Sequence, residues 1–116
     1  MIKTNFMMED KYITMVKGDT LSFGVEIENQ DGTSLDIDSA FFTCKKNYLD
    51  EYSAFQKSLN NGIVKESAGK YIVRVSPDDT KNLEAGKYFY DFQIGKNGDV
   101  FTIMRGVLEL EYDITY

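Results

Sequence analysis

Two pairs of carboxylates, Asp36/Asp38 and Asp78/Asp79, come nearest to chemistry in this 116-residue chain. Two carboxylates held across a cleft, one of them desolvated to raise its pKa, would do general acid–base work on a glycosidic bond. Here the acids are scattered in turn-like stretches. They read instead as a solvated turn and as the acidic start of a helix. Asp31, Asp36 and Asp38 offer the oxygen ligands that suit calcium. The stretch Asp31-Gly32-Thr33-Ser34-Leu35-Asp36-Ile37-Asp38 lacks the ligand spacing and terminal Glu of an EF-hand loop, so no metal site is assigned. The chain has no histidine, which removes Ser–His and Cys–His nucleophile pairs and any histidine-based metal centre. Neither glycine-rich fingerprint for phosphates or dinucleotides occurs. Cys44 has no second cysteine to pair with and reads as a small buried apolar residue rather than a reactive thiol. No catalytic residue and no cofactor is expected, and the chain reads as a non-enzyme.

Charge and hydropathy bound the partners. A formal net charge of -6 disfavours nucleic acid, whose phosphates need a basic face, and disfavours an anionic membrane surface. No apolar run approaches the roughly 18 residues needed to span a bilayer. The opening Met-Ile-Lys-Thr-Asn-Phe-Met-Met-Glu-Asp carries acids where a signal peptide has its apolar core, so synthesis and retention in a cytoplasm are expected.

The elements that must position these residues are short and regularly punctuated. Gly18-Asp19, Asp31-Gly32, Asn61-Gly62, Ala68-Gly69, Ala85-Gly86 and Asn97-Gly98 separate alternating apolar runs, which suits a sandwich or barrel of antiparallel strands. Strands are predicted at Tyr12–Lys17, Thr20–Glu28, Ala40–Lys46, Phe55–Leu59, Lys70–Val75, Lys87–Gly95, Val100–Arg105 and Val107–Tyr112. Leu21, Phe23, Val25 and Ile27 share an inward face, as do Phe42 with Cys44, Tyr71 with Val73 and Val75, and Tyr88 with Tyr90, Phe92 and Ile94. Asn97-Gly98 supplies the positive φ angles of a tight hairpin turn. One short helical turn is predicted near 77–84. Ser76 caps it, Pro77 takes the first position, Asp78 and Asp79 favour the positive end, and Leu83 plugs the fold from below. Lys46–Ser53 is the longest loop, with weak helical character around Tyr48–Ser53.

Tyr and Phe number eight each. Most fall at inward strand positions, where burial explains them. Phe41, Phe89, Tyr48 and Tyr52 are out of phase with the core and are candidates for a partner surface. Tryptophan, the usual sugar platform, is absent, so the aromatic content reads as core rather than as a sugar platform.

The spacing Leu83…Gly86…Tyr88 resembles the corner between the fifth and sixth strands of immunoglobulin-like domains, where a tyrosine braces the turn. The expected fold is therefore all-β, an immunoglobulin-like antiparallel β-sandwich over residues 11–116, preceded by an N-terminal arm over residues 1–10.

A wider resemblance rests on order. Met15-Val16-Lys17-Gly18-Asp19-Thr20-Leu21-Ser22-Phe23 is followed by Val25-Glu26-Ile27 and Asp31-Gly32-Thr33. Then come Asp79-Thr80, Leu83-Glu84-Ala85-Gly86-Lys87-Tyr88-Phe89-Tyr90-Asp91, Phe101-Thr102-Ile103, Gly106-Val107-Leu108-Glu109-Leu110 and Asp113-Ile114-Thr115. This series resembles the N-terminal β-sandwich domain of phage baseplate upper proteins and related prophage-encoded small proteins of Gram-positive bacteria. The resemblance implies a virion structural protein of a phage or prophage tail or baseplate, assembled in the bacterial host cytoplasm and acting by protein–protein interaction. Its implied partners are other virion proteins or a second copy of the chain. The family continues into a receptor-proximal segment, whereas this sequence stops at Tyr116, so a stand-alone or accessory module is expected. Phe6, Met7 and Met8 of the arm, with Phe89, are the candidate partner-binding residues, the arm acting by strand addition. A frayed terminus or a first strand of the chain's own sheet is the plainer reading of that arm. The alternative function is a carbohydrate-binding or adhesion β-sandwich module of a bacterial surface protein.

Overall fold

The computed structural model describes residues 2–6, by their backbone, and residues 12–112. In chain order the elements are β1 (Ile2–Phe6), β2 (Tyr12–Val16), β3 (Leu21–Asn29), β4 (Ser39–Lys45), β5 (Phe55–Leu59), β6 (Gly62–Ser67), β7 (Lys70–Val75), α1 (Pro77–Thr80), β8 (Gly86–Lys96) and β9 (Asp99–Glu111). The fold is all-β. The strands β2 to β9 curl into one mixed sheet nearly closed into a barrel, and β1 extends it beside β3. The strand order is β1-β3-β7-β6-β5-β4-β8-β9-β2.

Alternation places the core. Phe23, Val25 and Ile27 of β3 are buried, as are Ala40, Phe42 and Cys44 of β4, Tyr71, Val73 and Val75 of β7, and Tyr88, Tyr90, Phe92 and Ile94 of β8. Each set is spaced by two, so each points to one face of its strand. Phe42 is fully buried and sits at the centre. Its ring meets Phe23 edge-on at 5.5 Å and lies 5.3 Å from Tyr90, 6.2 Å from Phe55 and 6.4 Å from Phe92. Burial alone pushes the Cys44 thiol up to about 12, which suits its reading as a core residue.

Several local expectations are met in detail. Lys96 pairs with Asp99, so the β8–β9 turn is the two residues Asn97 and Gly98, with φ of 53° and 86°. The Asp79 carboxylate accepts hydrogen bonds from the Ser76 backbone N–H at 2.7 Å and from its hydroxyl at 2.9 Å, fixing the start of α1. The Tyr88 hydroxyl donates to the Glu84 carbonyl at 2.8 Å, and its ring is buried.

Five features of the fold differ from what the sequence predicts. The sheet is not antiparallel throughout: β2 runs parallel to β9, and β5 to β6. Nearly the whole domain separates β2 from β9, the long connection that parallel neighbours ordinarily need, whereas β5 and β6 are joined by Asn60 and Asn61 alone and pair over two residues each. β6 went unpredicted because Ile63 is its single buried residue, leaving no apolar alternation to read. The two predicted C-terminal strands are one continuous strand, β9; Gly106 stays in register opposite Tyr90, while a bulge near Ile103 resets the phase. The fully buried residue of the helical turn is Thr80 rather than Leu83, which is half-buried against the core. The Thr80 hydroxyl accepts the Gly18 N–H at 2.8 Å, tying α1 to the β2–β3 turn. No helix forms between Tyr48 and Ser53.

Residues 2–6, expected within an arm, pair antiparallel with β3 as a strand of the chain's own sheet.

Candidate functional site

The outward positions of β4, β5, β8 and β9 form a continuous face. Register sets its rows: Gln56, Thr43, Asp91 and Arg105 lie side by side across the four strands, and Lys45, Phe89 and Val107 form the next row. These residues project outward because their neighbours Phe42, Cys44, Tyr90 and Phe92 project inward.

The loop 46–54 folds over one end of this face. The Asn47 N–H donates to the Asp50 carboxylate at 3.0 Å, and the Asp50 N–H returns to the Asn47 carbonyl at 3.1 Å. Lys45 reaches the Asp50 carbonyl at 2.9 Å. The Ala54 N–H closes the loop onto the Cys44 carbonyl at 2.7 Å. This turn lays the Tyr48 ring on the Phe89 ring, centroids 4.1 Å apart and planes 25° from parallel. Tyr48 remains 62% exposed and Tyr52 80% exposed, while Leu49 at the tip is 98% exposed.

Two open depressions adjoin here, one beside Tyr48 and one beside Tyr52. Thr43, Lys45 and Asp91 line both, with Phe89, Tyr90 and Arg105 on the Tyr48 side and Glu51, Gln56 and Gln93 on the Tyr52 side. Asp91 and Arg105 stand opposite each other in register yet form no ion pair with one another. Gln56 donates to the Thr43 hydroxyl at 2.8 Å. The arrangement offers flat rings, amides, a carboxylate and a guanidinium. It can stack on and hydrogen-bond a ligand, and it holds no nucleophile–base pair.

The carboxylates singled out by spacing are engaged elsewhere. Asp31 accepts from the Thr33 hydroxyl and N–H, which hold its carboxyl below the usual carboxylate range. Asp36 pairs with Lys65 at 2.8 Å and accepts the Gly69 N–H at 2.9 Å, which depresses it likewise. Asp38 accepts the Asn97 N–H at 2.8 Å. Asp78 pairs with Lys81, and Asp79 with Lys57 at 2.7 Å. Among the described residues no three acids, cysteines or histidines gather closely enough to hold a metal ion.

Of the predicted partner-binding residues, Phe89 lies on this face under Tyr48. Phe6 is at the end of β1, its backbone opposite Val25 of β3, far along the strand order from β8. The fold does not bring the two together. Met7 and Met8 lie outside the described residues. Phe41 and Tyr52, also out of phase with the core, are exposed on or beside the same face. Thr43, Lys45, Gln56 and Arg105 escaped the sequence reading. Their outward phase was legible, but which strands lie side by side was not.

No helix among the described residues is long and apolar enough to cross a membrane. Comparison of the chain with family models and with curated proteins finds no match.

Proposed function

We propose that this chain is an immunoglobulin-like structural module of a phage or prophage virion, in the tail or baseplate, working by docking to neighbouring proteins rather than by catalysis. Two features support the immunoglobulin-like reading. The β5–β6 link is two residue pairs, Ser58–Gly62 and Leu59–Ile63. Dividing the sheet there leaves β1-β3-β7-β6 and β5-β4-β8-β9-β2. In chain order the first group is the A-B-E-D set of an immunoglobulin sandwich, and the second contains the C-F-G set. The order of sequence blocks supports the virion reading.

The observation that carries docking is the open seam. β2 ends the strand order and, among the described residues, is hydrogen-bonded on one side, to β9. The Lys17 N–H points to β9, where it donates to the Glu111 carbonyl at 3.0 Å. Alternation then turns the Thr14 and Val16 N–H groups away from β9, toward the seam. A depression lined by Thr14, Val16, Thr20 and Leu21 runs beside them. Such an edge is a template for an added strand.

Two measurements test the proposal. Mass spectrometry of particles released from an induced lysogen carrying this gene should find the chain as a stoichiometric component; its absence from purified particles overturns the virion reading. Thr14→Pro removes a seam-facing donor without touching the β2–β9 ladder. It should abolish co-purification with co-expressed neighbouring tail proteins while the fold is kept. Undiminished binding by that variant overturns docking through the seam.

A further inference from the structure

We propose that the adjoining depressions beside Tyr48 and Tyr52 form a binding site for a neutral oligosaccharide, distinct from the docking seam at β2. Pyranose rings present C–H groups that pack on an aromatic face and hydroxyls that need donors and acceptors at the ring edge. Both requirements are met here. Tyr48 is stacked on Phe89 at 4.1 Å, which orders its ring while the side chain stays 62% exposed. Ordering such a platform in advance lowers the entropy cost of stacking on it. Tyr52, 80% exposed, supplies a second ring beside the adjoining depression, which Thr43, Lys45 and Asp91 line together with the first.

The floor is polar and unfinished. Asp91 and Arg105 face each other in register without pairing, leaving an acceptor and a set of donors available to hydroxyls. Gln56 and Gln93 add amides from the neighbouring strands. The Tyr48 side offers only about 90 Å³ and the Tyr52 side about 440 Å³, the latter within the roughly 300–1,000 Å³ of ordinary small-ligand sites. Lys45 and Arg105 are offset by Glu51 and Asp91, so the local charge is balanced. Together with a net charge of -6 this favours a neutral ligand over an anionic one.

A peptide is the poorer occupant. The site lies across strand faces, where the backbone groups are already paired, so it gives a peptide no ladder to join.

The test is a titration of the full chain, labelled with nitrogen-15, with cellohexaose, maltohexaose and chitohexaose, read by amide chemical shifts. At least one sugar should give saturable shifts clustered on Thr43, Asp91 and Gln93. Tyr48→Ala should weaken that binding by about tenfold or more, the effect of losing one stacking platform. Both tyrosines are exposed, so the core resonances of Tyr48→Ala and Tyr52→Ala should match those of the parent. Tyr48→Phe keeps the ring and should keep most of the affinity. Absence of saturable shifts with all three sugars at about 10 mM, a concentration that detects even millimolar affinity, overturns the proposal. So do shifts clustered elsewhere, or affinity unchanged in both alanine variants. A failure here leaves the seam and its Thr14→Pro test untouched.

Discussion

The Tyr88 hydroxyl donates to the Glu84 backbone carbonyl four residues upstream, at 2.8 Å, while its ring lies buried under the corner that leads from α1 into β8. The Lys46 ammonium sits 4.7 Å from the centre of the same ring. One side chain thus fixes the corner by a hydrogen bond and the barrel end by packing.

Tyr88→Phe separates those roles. It keeps the ring and leaves the Glu84 carbonyl without this donor. A loss of about 1 kcal/mol is expected in urea denaturation, the usual net worth of one such bond. Tyr88→Ala removes the ring as well and should cost about 3 kcal/mol or more. Equal losses for the two variants would mean that the ring contributes nothing.

Phe42→Ala tests the aromatic centre. The side chain is fully buried among Phe23, Phe55, Tyr90 and Phe92, which cannot all collapse into the space it leaves. The expected cost is about 3–5 kcal/mol. A domain of this size holds roughly 5–15 kcal/mol, so the variant should be close to unfolding at 37 °C. Circular dichroism melting with a shift of only a degree or two would contradict this packing.

Gly69 and Gly32 make a matched pair. Both have positive φ, +70° and +90°, which strains any side chain. At Gly32 an added Cβ meets nothing within 4 Å. At Gly69 it would lie 2.6 Å from the Ile27 carbonyl oxygen, which is held in place by the Leu35 N–H at 3.0 Å. Gly32→Ala should cost roughly 1 kcal/mol from backbone strain alone. Gly69→Ala should cost clearly more, because backbone must also shift. Denaturation midpoints in the reverse order would rule out this geometry.

Acid should weaken the fold through Asp36. The Lys65 ammonium and the Gly69 N–H hold its carboxyl below the usual carboxylate value. A depressed folded pKa means that the unfolded chain binds the proton more readily. The stabilisation is therefore complete above the unfolded value of about 3.9 and is lost as pH falls through the folded one. Asp31 and Asp78 are depressed in the same sense by Thr33 and Lys81. Asp36→Asn should flatten the fall of the urea midpoint between about pH 5 and pH 2. The pair is exposed, so the effect should shrink in high salt. A variant with the parent's full acid dependence would show that Asp36 is not linked to folding.

The sequence by itself determined what is local. Alternation with period two marked the inward rows Phe23-Val25-Ile27, Phe42-Cys44 and Tyr88-Tyr90-Phe92, because burying one face of a pleated strand imposes that period. Asn97-Gly98 marked its turn because left-handed backbone selects those residues, and Ser76-Pro77-Asp78-Asp79 marked the helical turn by capping chemistry. What depends on which strands become neighbours was decided by tertiary structure alone. β6 has one buried residue and hence no period, so pairing with β7 defines it. β9 passes through Gly106 unbroken because β8 supplies a continuous ladder opposite. β2 finds a parallel partner at the far end of the chain, a pairing no local pattern encodes. The face carrying Tyr48, Thr43, Asp91 and Arg105 is of this second kind. Each residue's outward phase is legible along its own strand, but their meeting depends on register across four strands and on the turn that lays Tyr48 over Phe89.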